Sequence, residues 1–242
     1  VGVILNQDIK LTFRNRLGMA VLLTGIFMTV LDVYIVNVAI PSIRQGLHAT
    51  YGEVEFVIAG YLLTVSMGLI TAGRLGDLYG RRRVFLIGLY GFIVTSAFCG
   101  VAPTATSLIV ARLLQGFAAA VLSPQVIAIM RVTFVDARQR AVAFSLMGVA
   151  IGVASVIGQV LGAVIIDADV YGLSWRPIFL LNVPIGLIAA AAAPFALDES
   201  CATITRRMDL LGTSLITCGL GLLLYPLVRG HEAHWPTSLT VS

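Results

Sequence analysis

Seven stretches of this chain are apolar over about the thickness of a bilayer, and little polar sequence separates them. They are residues 17–40, 54–73, 84–102, 107–130, 141–166, 177–197 and 208–228. A hydrocarbon core of ~30 Å is crossed by about 20 apolar residues of α-helix, so each run is predicted to span a membrane. Water is excluded as the solvent: 58% of residues are hydrophobic and 12% charged, against roughly 25% charged in soluble domains. The runs are continuous rather than alternating, which selects helices over an outer-membrane barrel. The expected class is an all-α membrane protein.

Basic residues give the direction. Lys10, Arg14 and Arg16 precede the first run. Arg74, Arg81, Arg82 and Arg83 flank the second connection, Arg131, Arg138 and Arg140 the fourth, and Arg206 and Arg207 the sixth. These are 12 of the 16 Lys and Arg residues; only Arg44, Arg176 and Arg229 fall on the other side, and Arg112 lies inside a run. Cytoplasmic loops carry such an excess. The N-terminus is therefore expected inside, in a multi-pass protein of the plasma membrane, with a bacterial inner membrane favoured. The net charge of +4 then needs no nucleic-acid partner. The first run is too long for the h-region of a signal peptide and reads as a span. Cys99, Cys201 and Cys218 have no metal-ligand spacing and no disulfide framework is expected.

Between the second and third runs lies GRLGDLYGRRRV, with one acid and four arginines. Topology accounts for the bases but not for the acid or the glycines. Gly73, Gly76 and Gly80 let two helix ends approach and reverse. Asp77 falls near a helix C-terminus, where the macrodipole opposes a negative charge, and Arg81 four residues later is its nearest partner. Small residues, an acid and fixed bases describe a latch at the cytoplasmic face.

Two ionisable residues fall inside runs, where each costs about 2.5–3.5 kcal/mol at a helix centre. Asp32 is about eight residues from the outer end of its run and Arg112 about five. At 1.5 Å per residue both lie on the order of 8–12 Å below the outer boundary. Matched depth and opposite sign make them expected neighbours across a shared cavity, where Asp32 binds a proton or a cationic substrate. The plain alternatives are a paired structural acid and an arginine snorkelling to the interface. Asn37, Gln115, Ser123, Gln125 and Gln159 are also within runs; taken singly, each fits a helix–helix hydrogen bond better than a ligand. Pro124 is expected to bend the fourth span. Ala154, Gly158 and Gly162 repeat every four residues and predict a flat packing stripe on the fifth. The first and fourth runs each carry one charge in the outer half with a proline beyond, as two inverted three-helix units would.

Four segments in order resemble the major facilitator superfamily, and within it the drug:proton antiporters with fourteen spans. LDVYIVNVAIPSI, with Asp32, Asn37 and Pro41, is similar to that group's first-span motif. GRLGDLYGRRRV is similar to the signature loop at Gly73, Asp77, Gly80, Arg81 and Arg82. RLLQGFAAAVLSP resembles the fourth-span motif through Arg112, Gln115, Gly116 and Pro124, and WRPIFLLNVPIG the outer segment leading into the sixth span.

The resemblance implies a six-helix N-terminal transporter bundle of two inverted three-helix repeats, plus a seventh transmembrane helix. It implies proton-coupled efflux of small cationic or amphipathic organic compounds, of the multidrug-resistance type, driven by a proton gradient and without a cofactor. Asp32 and Arg112 would carry the coupling, with Asn37, Gln115 and Gln125 as polar residues of the cavity. Gly73, Gly76, Asp77, Gly80, Arg81 and Arg82 would form the gating loop, whose acid in the family also contacts a helix of the second half. Ala154, Gly158 and Gly162 would belong to the antiporter motif. There Gln159 stands where proline is usual and Ala163 replaces the last glycine, while Leu78 replaces a common base in the signature loop. The first departure bears on the direction of coupling.

RRMDLLG looks like the start of the first of two extra helices found in the fourteen-span group. On this reading residues 1–16 are a cytoplasmic segment and 17–197 the bundle. Residues 198–228 are a cytoplasmic connection with the seventh helix, and 229–242 an outer segment. Alternating access needs a second half, so the chain is expected to be the N-terminal half of a longer carrier, inactive alone. Its partners are then the missing C-terminal half, the lipid bilayer and a small-molecule substrate. The competing reading is a non-transporting membrane stub or partner-binding half-carrier. Lys10 is the only lysine, which excludes a retinal protein; a ligand receptor conflicts with the orientation, and no acidic ring or filter-like loop suggests a channel. An enzyme would gather His, Cys or acids, whereas His48, His231 and His234 scatter in outer segments. No enzyme and no metal site is expected.

Overall fold

The computed structural model describes residues 12–169, 172–201 and 219. In chain order the helices are α1 (Phe13–Leu47), α2 (Tyr51–Tyr79), α3 (Arg81–Gly100), α4 (Ala105–Thr133), α5 (Ala137–Ala168), α6 (Pro177–Leu180) and α7 (Asn182–Ala196). Five helices and the α6–α7 pair, Pro177–Ala196, are each long and apolar enough to cross a membrane. The protein is therefore an all-α, multi-pass membrane protein. The predicted seventh helix, 208–228, lies outside the described residues but for Gly219, which is helical.

Several helix starts are legible in the sequence. Thr50 and Thr104 cap α2 and α4 in capping boxes with Glu53 and Ser107, and Asp136 caps α5 through the N–H groups of Arg138 and Gln139. Two predicted boundaries differ. The first span does not stop at Ile40, because Pro41 lies inside α1, which runs on to Leu47 and ends at left-handed His48. Proline removes one helical hydrogen bond and can kink a helix without ending it. Asp32 thus lies about four turns from the end of α1, and Arg112 about two turns from the start of α4. Counted from helix ends their depths no longer match; the two still meet because α1 extends well beyond the level of the pair. The sixth run is also interrupted at Leu181, where Pro184 has no N–H to return to the Leu180 carbonyl.

α1 packs on α5 and α7, α4 packs on α2 and α3, and α1 meets α4 centrally. Exchanging α1, α2 and α3 with α4, α5 and the α6–α7 pair maps this pattern onto itself, as inverted repeats do. Small residues permit the approach. On α5 the buried positions are Ala143, Ala154, Gly158 and Gly162. A Cβ on Gly158 would stand 3.1 Å from the Leu31 carbonyl oxygen, and one on Gly162 3.2 Å from that of Ile35. Lipid is as apolar as leucine, so close contact of this kind rather than solvent exclusion holds membrane helices together.

Buried apolar side chains form two main clusters. One includes Met28, Tyr61, Phe85, Phe92, Leu122 and Phe134. The other includes Ile35, Val57, Leu108, Trp175 and Phe179. Along α1 they meet between Met28 and Ile35, at Asp32, and along α4 between Leu108 and Ala118, at Arg112. Two greasy plugs therefore enclose one polar layer.

The packing predicts unequal glycines. A Cβ on Gly88 of α3 would stand 2.7 Å from the backbone nitrogen of Leu122, whereas Gly148 of α5 has nothing within 4 Å. Gly88→Ala is expected to destabilise the bundle by about 1–3 kcal/mol. Gly148→Ala should be neutral or gain up to about 1 kcal/mol of helix propensity. Reversible unfolding of the chain in mixed micelles measures both.

Candidate functional site

Asp32 on α1 and Arg112 on α4 form a buried salt bridge, in which Arg112 Nη1 donates to Asp32 Oδ2. Their side chains are 0% and 1% exposed. Charges so placed are tolerated only where their remaining donors and acceptors are also met. Gln115, one turn along from Arg112, serves both: its Nε2 donates to Asp32 Oδ1 at 2.9 Å, and its Oε1 accepts from Arg112 Nη1 at 2.8 Å. Cys99 Sγ donates to the same Gln115 oxygen at 3.3 Å. Arg112 Nε donates to the Val57 carbonyl at 3.1 Å, and the guanidinium stands 4.1 Å over the ring of Tyr61. Asn182, the first residue of α7, donates from Nδ2 to Asp32 Oδ1 at 3.4 Å and to Ser96 Oγ at 3.0 Å. Five helices thus contribute to one polar layer.

Of the predicted cavity residues, the structure brings only Gln115 to the pair. Asn37 is exposed, five residues further along α1 and on another face. Gln125 is buried but donates to the Ala72 carbonyl at 2.7 Å, a helix–helix bond nearer the Arg81 end of the bundle. Ser123 bonds to the Ala119 carbonyl of its own helix, and Gln159 is exposed. The pair also differs from the expected arrangement in being sealed: Asp32 and Arg112 touch directly instead of facing each other across an open chamber. Asn182 carried the same signal in the sequence as Asn37, a polar residue inside an apolar run. Ser96 carried it as well, as one of many hydroxyls within the runs, and Tyr61 did not.

At the Arg81 end, Arg81 Nε and Nη2 both donate to Asp77 Oδ1, at 3.1 and 2.7 Å. Gly80 has φ of 103°, which suits glycine, and a Cβ there would stand 2.6 Å from the Glu199 carboxylate. Gly76 lies against Gln125, whose Oε1 would be 1.8 Å from an added Cβ, while Gly73 has only Pro124 near, at 3.9 Å. Glu199, in no motif, caps α3 from a distance. Its carboxylate accepts the backbone N–H groups of Arg82 and Arg83 at 3.1 and 3.2 Å. The Arg81 N–H donates to the Ser200 carbonyl at 2.9 Å. These are donors that a helix start leaves unpaired, and a carboxylate there also meets the positive end of the dipole. Arg82 Nη1 donates to the Leu197 carbonyl at 3.2 Å, and Arg14 pairs with Asp198. The segment after the sixth span is so stapled to the starts of α1 and α3.

The family profile of the Major Facilitator Superfamily matches residues 22–207. The chain is 37% identical over 223 residues to the "Probable actinorhodin transporter" of Streptomyces coelicolor, an alignment covering 92% of this chain and 38% of that protein. It is 33% identical over 212 residues to the "Tetracenomycin C resistance and export protein" of Streptomyces glaucescens, covering 87% and 38%. It is 34% identical over 217 residues to the "Multidrug resistance protein Stp" of Mycobacterium tuberculosis, covering 90% and 40%. The chain therefore spans about two fifths of the length of these curated relatives. Its fold is similar to that of tetrameric PepTSo2, with a TM-score of 0.68 at 17% identity over 91% of this chain and 52% of that one.

The polar layer predicts a non-additive pair. Arg112→Leu leaves a buried carboxylate unmatched and is expected to destabilise the chain by about 3–5 kcal/mol. Arg112→Leu with Asp32→Leu should recover most of that loss. A double-mutant cycle by unfolding in mixed micelles checks this, and additive losses would contradict a coupled pair.

Proposed function

The chain belongs to the Major Facilitator Superfamily, and on that premise we propose that it is the N-terminal half of a proton-coupled exporter of small cationic or amphipathic organic compounds. The observation that carries the reading is the sealed Asp32–Arg112 pair. A buried ion pair adds little net stability, since apolar residues of similar volume often serve as well. An ionisable group within a membrane more often marks a pathway for charge. A proton on Asp32 cancels the pair: the carboxyl becomes neutral and Arg112 loses its counter-charge. A cationic cargo reaching the same carboxylate displaces Arg112 by competition. Proton and cargo thereby exclude one another at a single acid, as antiport requires. If the charged and neutral forms favour different placements of α1 against α4, binding shifts the population between inward and outward openings.

The names of the relatives speak of transport or export of actinorhodin and tetracenomycin C and of multidrug resistance, which supports an organic cargo and an outward direction. In this reading the arginine-rich end is cytoplasmic and the membrane is the plasma membrane. Residues 17–197 are the working bundle, and the helix predicted at 208–228 adds a seventh span. The Asp77–Arg81 pair and Gly73, Gly76, Gly80 and Arg82 form the cytoplasmic latch. Asn37, exposed on α1, is available to cargo or to a second half, and Gln125 holds α4 against α2 beneath the latch. Ala154, Gly158 and Gly162 let α5 follow α1. The greater length of the relatives favours a half-carrier that moves no cargo until a second half joins it.

Inverted vesicles containing the complete carrier should accumulate a fluorescent organic cation when a proton gradient is imposed, and vesicles containing residues 1–242 alone should not. Accumulation by residues 1–242 alone would refute the half-carrier reading. Asp32→Asn in the complete carrier is expected to abolish gradient-driven movement with membrane levels intact; unchanged transport refutes the role of the acid. Asp77→Ala should slow exchange more than it weakens cargo binding, and lost binding with normal exchange rates counts against a latch.

A further inference from the structure

Asn182 has one buried oxygen too many. Its Nδ2 donates to both Asp32 Oδ1 and Ser96 Oγ, but its Oδ1 is buried without a partner. Leaving such an acceptor unmet costs about 1–3 kcal/mol, and an unsatisfied group of this kind asks for an explanation. In its present orientation that oxygen faces no donor, while the amide nitrogen faces Asp32. Around Asp32 every neighbour already donates: Arg112 to Oδ2, and Gln115 and Asn182 to Oδ1. That set suits an ionised carboxylate. A protonated carboxyl is itself a donor, and these same neighbours offer its proton no acceptor in their present orientation.

The two amides are not equivalent in meeting that need. Gln115 Oε1 already accepts from Arg112 and Cys99. Asn182 Oδ1 is free, and a half-turn of the amide exchanges oxygen and nitrogen with almost no change of shape. The geometry points to Asn182 as a positioning residue that reads the charge on Asp32 and passes it into the sixth span. The inference rests on Asp32 being the proton-binding acid of the reading above.

With Asp32 ionised, Asn182 donates to it and to Ser96, and Ser96 in turn donates to the Phe179 carbonyl at 2.8 Å. With Asp32 protonated, the amide turns, its Oδ1 accepts from the carboxyl, and Nδ2 moves to the position that Oδ1 leaves. Ser96 Oγ loses its donor and faces an oxygen instead, so its single proton is drawn from Phe179 toward Asn182. Phe179 lies in the four-residue α6, immediately before the interruption at Leu181. A proton bound on α1 thus loosens a link between α3 and the broken part of the sixth span. Among the described residues, the titratable and charged groups around this site are Asp32 itself, Arg112 from α4, Tyr61 from α2 and Cys99 from α3. α5 faces α1 with Ala154, Gly158 and Gly162. Arg176, which precedes α6, is engaged with the Ala102 carbonyl.

The chain contains four asparagines, Asn6, Asn15, Asn37 and Asn182, so the test is spectroscopically simple. Residues 1–242 in lipid nanodiscs, labelled with ¹⁵N at asparagine and ¹³C at aspartate carboxyls, are followed by NMR as pH is lowered. Loss of one side-chain amide signal in Asn182→Ser assigns it, and loss of one carboxyl signal in Asp32→Asn assigns the acid. The Asn182 amide is expected to move with the same midpoint as the Asp32 carboxyl, and to become independent of pH in Asp32→Asn. In a second sample labelled with ¹³C at phenylalanine carbonyls, the Phe179 carbonyl shift should follow in step and stop following in Ser96→Ala. A titrating Asp32 beside a stationary Asn182 amide overturns the inference and leaves the antiport reading standing. A carboxyl at Asp32 that never titrates while the chain stays folded overturns both. Where a variant does not fold, sequential assignment of the unsubstituted chain identifies the same two signals, and their shared midpoint decides the matter.

Discussion

A carboxylate and a guanidinium held together inside hydrocarbon constrain the rest of this bundle. Neither charge is tolerable there alone, so α1 and α4 must meet at that level, whatever else they do. Each leftover donor and acceptor must also be met. Gln115 bridges the two charges, Val57 contributes a carbonyl from α2 and Asn182 an amide from α7. The apolar clusters on either side exclude other partners and make each bond electrostatically stronger than it would be in water. What looks like a local ion pair is therefore the node at which five helices are registered.

The arginine-rich end follows a different rule. There the constraint is the helix terminus rather than the isolated charge. The start of α3 exposes unpaired N–H groups, and Glu199 brings both acceptors and a negative charge to them. Asp77 sits at the unfavourable end of α2, and the bidentate contact from Arg81 offsets that. Close approach is possible because Gly80 adopts a left-handed φ and Gly76 leaves room for Gln125. Polar chemistry at this end ties a connecting segment to two helix starts, whereas in the middle of the bundle it ties helix to helix.

The spans, Asp32 and Arg112 were legible because an apolar run and a charge within it are properties of the chain alone, set by the solvent. The Asp77–Arg81 pair was legible because a spacing of four on a continuous path brings two side chains together. Gln125 and Asn37 were not separable from Gln115 on the same grounds, since polarity within a run says nothing about which face it occupies relative to other helices. Glu199 lies more than a hundred residues from the N–H groups it caps, and no local pattern announces such a partner. α1 runs past the end of its apolar stretch at Ile40, because in the bundle the helix continues through Pro41 to Leu47.

By itself, then, the sequence determined the solvent, the number of crossings among the described residues, the likeness to the Major Facilitator Superfamily and the two charges that a membrane would not accept unpaired. Those follow from transfer free energies, which each residue carries wherever it is placed. Only the tertiary structure decided that the charges touch in a sealed layer, that Asn182 and Gln115 share the carboxylate, and that Glu199 closes the start of α3. Such facts depend on the relative rotation and offset of helices. In lipid these are set by small-residue contacts and by the demand that buried polar atoms find partners, and neither is written in any one run.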